Sequence, residues 1–319
     1  MSFKIVILPP YQEPEWPSLI EQAVEGVIVK YFDAVEDSLS ELVDADAVYG
    51  TIPEKFFSYA KKLKWLAAPQ AGLGGRWFYQ KLVESDIIVT NIRGVYNDHL
   101  SAHIMAFVMM FARKFHKYFD YQRESKWEFI EPAVYLPDSI VIVIGVGNIG
   151  SEVAKLCKAF GMKVFGVDPC VDENLEHIDK LYQPEMLDSI LGKADFVIIT
   201  TPETPKTIKM FDERRLRLLK KTAYLINTGR GSSIVLDDLV KVLQQKKFAG
   251  VGLDVFEIEP LPSEHPLWKM SNVIITPHIA GTMLDKNVKA RRTKILIENC
   301  KRFSKNKPLI NVVDKRNWF

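Results

Sequence analysis

Four segments in the second half of the chain carry residue types and spacings that suit chemistry on a small anion. In Ile144-Gly145-Val146-Gly147-Asn148-Ile149-Gly150 the spacing G-x-G-x-x-G follows an apolar run and precedes a helical stretch, Ser151 to Phe160. Gly145 permits the tight turn, Gly147 lets a pyrophosphate approach the backbone, and Gly150 lets the helix pack on the strand. The helix N-terminus then offers unpaired N–H groups to the phosphates. Asp168 ends the next β-branched run, 18 residues beyond Gly150. A carboxylate there accepts hydrogen bonds from the adenosine ribose and repels a 2′-phosphate, which predicts NAD over NADP. Further on, Gly229-Arg230-Gly231 closes the run Leu225-Ile226-Asn227. An arginine between two glycines has little to pack against, and its planar fork suits a carboxylate. Leu253 to Pro260 sets Asp254, Glu257 and Glu259 just past another apolar run, and Thr276 to Gly281 puts His278 on a turn before the last helix. With an ordinary pKa of ~6.5, histidine serves proton transfer near neutrality in either direction.

All four segments lie at strand ends, where open α/β sheets build their ligand crevices. Short β-branched runs alternate with amphipathic stretches from Phe3 onward, the rhythm of βαβ units and parallel sheets. The first hundred residues carry strand candidates at 3–8, 27–32, 47–50, 65–68 and 87–92. Residues 98–119 predict one long helix, residues 121–137 read as irregular, and strands resume at 140–144, 163–168, 195–200, 223–227, 250–254 and 273–276. The chain has 319 residues, enough for two domains at ~100–200 each. Hydrophobic residues make up 47% and charged residues 26%, so sizeable cores are available. Lys plus Arg at 42 against Asp plus Glu at 40 leaves no broad polyanion surface, and neither nucleic acid nor membrane is expected as a partner. Cys157, Cys170 and Cys300 stand apart with no CxxC pair, which fits a reducing compartment without disulfides or zinc. The opening strand is too short for a signal sequence and no apolar run approaches the ~20 residues of a span, so a cytoplasmic protein is expected.

Taken together and in order, the glycine turn, Asn227–Gly231, Leu253–Pro260 and Thr276–Gly281 resemble the D-isomer-specific 2-hydroxyacid dehydrogenase family. The likeness extends to Gln70-Ala71-Gly72 and Asn91-Ile92-Arg93-Gly94-Val95-Tyr96 and covers essentially the whole length. It implies an α/β protein of two Rossmann-like, doubly wound parallel-sheet domains. The substrate domain, residues 1–100 plus 286–319, would be flavodoxin-like and discontinuous, around an NAD-binding domain at 101–285. It implies hydride transfer between nicotinamide and a small 2-oxo or D-2-hydroxy acid, in the manner of glyoxylate/hydroxypyruvate reductases or D-lactate dehydrogenases. His278 would be the acid–base, Glu259 its orienting partner, and Arg230 the substrate clamp. By spacing alone Glu257 competes with Glu259. Ala71 and Gly72 would hold the substrate with backbone N–H groups, although Leu73-Gly74-Gly75 departs from the usual continuation. NAD contacts would fall on Gly145, Gly147, Asn148, Ile149, Gly150, Asp168, Thr201, Pro202, Thr228, Asp254, Ala280 and Gly281, with Asp254 on the nicotinamide carboxamide.

Three other readings stay open at this point. Formate dehydrogenases pair the histidine with Gln, a corepressor-like NAD(H)-sensing scaffold would carry partner-binding extensions, and phosphoglycerate dehydrogenases often append a regulatory domain for which no length remains. His99 and His103 have the i, i+4 spacing of a helical zinc pair, yet Leu100 stands where a zincin needs Glu. A structural role is expected for both, and no metal. Arg76, Arg93 and Tyr96 are candidates for the substrate's distal end, and Trp268 for closing over the cleft, for core or for interface. The long helix has more apolar residues than one packed face needs, Met105, Met109 and Met110 among them, consistent with a homodimer through the NAD-binding domain.

Overall fold

The computed structural model describes residues 2–72, 77–130, 132–169, 175–282 and 285–316. The chain divides into two compact units, Met1–Val95 with Thr282–Phe319, and Tyr96–Gly281. The first begins with β1 (Lys4–Ile7), α1 (Trp16–Ala23), β2 (Ile28–Tyr31), α2 (Leu39–Leu42), β3 (Ala47–Tyr49), β4 (Trp65–Ala67), α3 (Gln80–Glu84) and β5 (Ile88–Thr90). Its strands are parallel in the order β2-β1-β3-β4-β5, the flavodoxin-like arrangement. Side-chain alternation assigns the two faces. Val6, Val48, Leu66 and Val89 pack with Leu42, Phe78 and Leu82 on one face. Ile5, Ile7, Tyr49 and Trp65 pack with Trp16 and Ile20 of α1 on the other. Ile5, Val6 and Ile7 are all fully buried, each contributing roughly 1.5–3 kcal/mol, so the central strand shows no polar alternation.

The second unit runs through α4 (Asn97–Ala112), α5 (Phe115–Arg123), β6 (Ile140–Ile144), α6 (Asn148–Ala159), β7 (Lys163–Val167), β8 (Lys180–Tyr182), α7 (Leu187–Leu191), β9 (Phe196–Ile199), α8 (Glu213–Leu216), β10 (Tyr224–Asn227), α9 (Leu236–Gln244), β11 (Gly250–Leu253) and β12 (Val273–Ile275). Seven parallel strands follow the order β12-β11-β10-β9-β6-β7-β8. The strand order reverses between β6 and β9, and the crevice beyond their carboxyl ends is where this topology binds ligands. Val141 and Val143 of β6 pack with α4 and α6, and Ile142 and Ile144 pack with α7 and α9. The ring of Phe107 lies on the β11 backbone, since a Cβ on Gly252 would sit 2.8 Å from it. That contact seats α4 on the sheet at β11.

The chain then returns to the first unit as α10 (Lys286–Ser304), capped by Asp285, whose side chain accepts from the Asn287 and Val288 N–H groups. Leu296 and Cys300 of α10 complete the face covered by α1, and Trp16 Nε1 donates to Thr293 Oγ1 at 2.9 Å.

Two elements differ from the sequence expectation. The long helix at 98–119 breaks at Lys114, which takes a left-handed φ of 61° while its Nζ donates to the Tyr224 hydroxyl at 2.8 Å. The expected strands also omit β8, whose three residues lie at the sheet edge and are not fully buried, leaving no apolar run to betray them. No helix among the described residues is long and apolar enough to cross a membrane.

Candidate active site

The turn after β6 separates the three glycine tasks. Gly145 has a φ of +88°, a conformation that side chains resist, and a Cβ there would meet the Thr201 backbone. A Cβ on Gly150 would lie 2.0 Å from the Gly145 carbonyl oxygen, so the first turn of α6 sits directly on the strand end. Around Gly147 a Cβ would meet nothing within 4 Å, and Gly147 and Asn148 face outward. Open space beside the N-terminus of α6 suits a phosphate. Asp168 follows β7 and is half-buried, its Oδ2 accepting from the Val146 N–H at 2.8 Å. That bond ties the acid to the glycine turn.

Across the switch point, the Thr200 hydroxyl donates to the Gly145 carbonyl at 2.7 Å. Its neighbour Thr201 and, after β10, Thr228 are buried with hydroxyls that have no hydrogen-bond partner among the described residues. Buried hydroxyls normally find partners. Two unmet ones beside an open glycine turn fit a ligand with its own polar groups. Pro202 is half-buried next to Thr201, its carbonyl accepting from the Thr207 hydroxyl at 2.7 Å.

The loop after β10 is closed by Asn227, which is fully buried. Its Nδ2 donates to the Arg230 carbonyl at 2.9 Å and its Oδ1 accepts from the Gly229 N–H at 3.1 Å. Gly229 and Gly231 are obligatory. A Cβ on the first would lie 2.6 Å from the Thr201 carbonyl oxygen, and one on the second 1.9 Å from the Phe256 carbonyl carbon. Arg230 is thus carried on a loop wedged between two other strand-end loops. Its Nη1 donates to the Gly229 carbonyl at 2.7 Å, and it has no ion-pair partner among the described residues. Burial pulls its guanidinium below the usual arginine range, and the Glu203 and Glu259 carboxylates push it back up. The result is a half-buried cation with unspent donors, suited to a small carboxylate.

The remaining groups converge on the turn after β12. Asp254, 1% exposed, accepts at Oδ1 from the Thr276 hydroxyl at 2.6 Å and the Ile279 N–H at 3.0 Å, and at Oδ2 from the Ala280 N–H at 3.1 Å. Its backbone carbonyl accepts from the His278 N–H at 2.8 Å. His278 is thereby held at a left-handed φ of 53°, a conformation that costs a non-glycine residue roughly 1–2 kcal/mol and persists only when its neighbours enforce it. The imidazole Nδ1 lies 2.7 Å from Glu259 Oε2, and Glu259 Oε1 accepts from the Phe256 N–H at 2.9 Å. Glu257, one turn residue away, is exposed and makes no such contact. Ala280 is buried, and a Cβ on Gly281 would meet Leu100 and Tyr96 at 3.1 and 3.4 Å.

The other candidates have the following surroundings, each within its own unit. Tyr96 is buried at the start of α4 in the second unit, where it packs near Gly281, so its ring is spent on the fold. Trp268 is half-exposed and its Nε1 donates to the Pro262 carbonyl at 2.9 Å. Arg93 is exposed in the first unit. There too, Ala71 and Gly72 are half-buried, with the Ala71 carbonyl accepting from Asn91 Nδ2 at 2.7 Å. Arg76, the Leu73–Gly75 continuation and Cys170 lie outside the described residues. Two residues gain a place that the sequence did not signal. Asn227 locks the Arg230 loop, its only cue being a polar residue at the end of an apolar strand. His103 reaches Thr276 at 3.0 Å across 173 residues of chain.

The family model for the NAD-binding domain of D-isomer specific 2-hydroxyacid dehydrogenases matches residues 105–280, more than half of the chain. The protein belongs to that family. A glyoxylate reductase of Korarchaeum cryptofilum is 32% identical over 293 residues, covering 90% of this chain and 84% of the relative. Among solved structures, a D-isomer specific 2-hydroxyacid dehydrogenase of Xanthobacter autotrophicus in complex with NADPH aligns with a TM-score of 0.85 at 26% identity, covering 99% of each chain. A D-lactate dehydrogenase of Aquifex aeolicus complexed with NAD and lactic acid aligns at 0.79 and 26%, covering 97% of this chain and 99% of that one. This 2-hydroxyacid dehydrogenase is therefore an oxidoreductase with an NAD(P)-binding domain, built on two parallel-sheet α/β units of five and seven strands.

Proposed function

We propose that this protein is an NAD-dependent reductase of small 2-oxo acids to D-2-hydroxy acids, with glyoxylate, hydroxypyruvate or pyruvate as substrate. The observation that carries the reading is the His278–Glu259 pair at 2.7 Å, in a unit that also presents Arg230 without an ion-pair partner. The Gly145–Gly150 turn, Asp168, Thr201, Pro202, Thr228, Asp254, Ala280 and Gly281 would hold a nicotinamide dinucleotide, which when bound would supply a hydride to the carbonyl carbon. Arg230 binds the substrate carboxylate and polarises the carbonyl. Protonated His278 gives its Nε2 proton to the carbonyl oxygen, and Glu259 at Nδ1 fixes the orientation of the ring. Ala71 and Gly72 are assigned to the substrate on the family pattern, supported by the Asn91 bond that fixes the Ala71 peptide.

The preference for NAD rests on Asp168. Its carboxylate is tied to the Val146 N–H, so a 2′-phosphate brought to it meets a fixed negative charge. Initial rates with NADH and NADPH across glyoxylate, hydroxypyruvate, pyruvate, phenylpyruvate, 2-oxoisocaproate and phosphohydroxypyruvate test both halves of the proposal. The expected result is turnover with a small 2-oxo acid and a kcat/KM for NADH at least about tenfold above that for NADPH. Equal values for the two cofactors would remove the role given to Asp168. Tight NADH binding with no turnover on any acid would favour the scaffold reading.

The proposal includes a homodimer through the second unit. Phe115 and Phe119 of α5 are half-exposed, and Trp127, Phe129 and Tyr135 beyond it are 94%, 86% and 68% exposed. So much aromatic surface in one short stretch marks an association site. The double variant Trp127→Ser, Phe129→Ser should run as a monomer in sedimentation velocity where the parent runs as a dimer, and an unchanged mass would discard this surface. A reducing, cytoplasmic setting fits the buried free thiols of Cys157 and Cys300.

A further inference from the structure

His103 sits on α4, far in sequence from every strand-end loop, yet its Nε2 lies 3.0 Å from Thr276 Oγ1 and 3.6 Å from Asp254 Oδ1. The hydrogen-bond arithmetic fixes the direction of this contact. A threonine hydroxyl has one proton, and at 2.6 Å from a carboxylate oxygen that accepts only, the Thr276 proton goes to Asp254. Thr276 Oγ1 must then accept from His103, so Nε2 carries a proton. In the relay His103 Nε2–H donates to Thr276, the Thr276 O–H donates to Asp254 Oδ1, and Asp254 also accepts from the N–H groups of Ile279 and Ala280 beside His278.

The relay also decides which carboxylate oxygen stays available. Oδ1 takes two donors, Thr276 and Ile279, and is saturated, whereas among the described residues Oδ2 takes only Ala280 and keeps one acceptor position. We propose that His103 is a positioning residue which, through Thr276, holds Asp254 so that Oδ2 is left for the nicotinamide carboxamide and the His278 turn stays locked. This rests on the reading of Asp254 and His278 given above. The competing role is packing alone, since the His103 ring also meets Phe107 edge-on at 5.0 Å between centroids.

The two roles separate by substitution. His103→Leu keeps apolar bulk against Phe107 and removes the donor, whereas His103→Gln places an amide N–H near the position of Nε2. With the thermal midpoint of each variant measured alongside, His103→Leu should weaken NADH binding, read by fluorescence titration, about 5- to 10-fold and lower kcat about tenfold, with His103→Gln within about threefold of the parent. In the unliganded protein, ¹⁵N spectra of the imidazole should show the Nε2–H tautomer, and Thr276→Val should remove that fixed preference. Parental behaviour of His103→Leu, or His103→Gln falling as far as His103→Leu at an unchanged midpoint, would overturn the relay. If the parent itself reduces no 2-oxo acid, the proposed function fails, while the NADH titrations and the tautomer still judge the relay.

Discussion

His278→Ala should lower kcat for 2-oxo acid reduction by about 10²–10⁴-fold while NADH affinity changes little, because the variant loses the proton donor and keeps the dinucleotide turn. The imidazole is the one titratable ring on a turn whose backbone is held by Asp254 from both sides, and its Nδ1 is committed to Glu259. Only Nε2 remains for the substrate. Glu259→Gln should cost less than His278→Ala, since an amide can still meet Nδ1 and hold the ring. Steady-state kinetics from pH 5 to 9 check both variants. His116 does not confuse that profile, because burial pushes its pKa down to about 4 and it stays neutral over the range. Near-parental turnover of His278→Ala would take the proton-transfer role away from this residue.

Arg230→Leu should raise KM for the 2-oxo acid about 10- to 100-fold and lower kcat by about 10²-fold, since one guanidinium both binds the carboxylate and stabilises charge on the carbonyl oxygen. Arg230→Lys should recover little of this, because a point charge does not replace two parallel N–H donors. The loop itself should survive either change. It is held by the Asn227 side chain and by the close approach of Gly231 to Phe256, neither of which uses the guanidinium. Kinetics with glyoxylate, alongside the thermal midpoint, separate lost chemistry from lost fold. A KM rise without any fall in kcat would restrict Arg230 to binding.

What could be read along the chain was whatever depends on local stereochemistry. The three glycines of the dinucleotide turn have different tasks because each meets a different steric limit within a few residues: a left-handed φ, an open approach and a 2.0 Å conflict. Parallel sheets could be anticipated because β6 is an unbroken apolar run, which only burial on both faces permits. Spacing alone did not separate Glu257 from Glu259, since the two acids are chemically alike. The fold distinguishes them by placing the Phe256 N–H where it grips Glu259. The helix break at Lys114 has no local signal because the residue is an ordinary helix former, and its left-handed turn accompanies a bond to Tyr224, 110 residues away. Tyr96 was a substrate candidate by its motif, and its burial beside Gly281 could not be known from neighbours in sequence.

The amino-acid sequence by itself determined the parallel α/β architecture, the dinucleotide turn and the residue types available for binding a carboxylate and moving a proton, because each follows from sterics and chemistry within a few residues. The tertiary structure alone decided that His103 joins the Asp254 turn and that Glu259, which resemblance but not spacing favoured over Glu257, lies 2.7 Å from His278. Those outcomes depend on contacts between residues 19 and 173 positions apart, set by how the strands are ordered and how α4 is seated on β11 through Phe107 and Gly252.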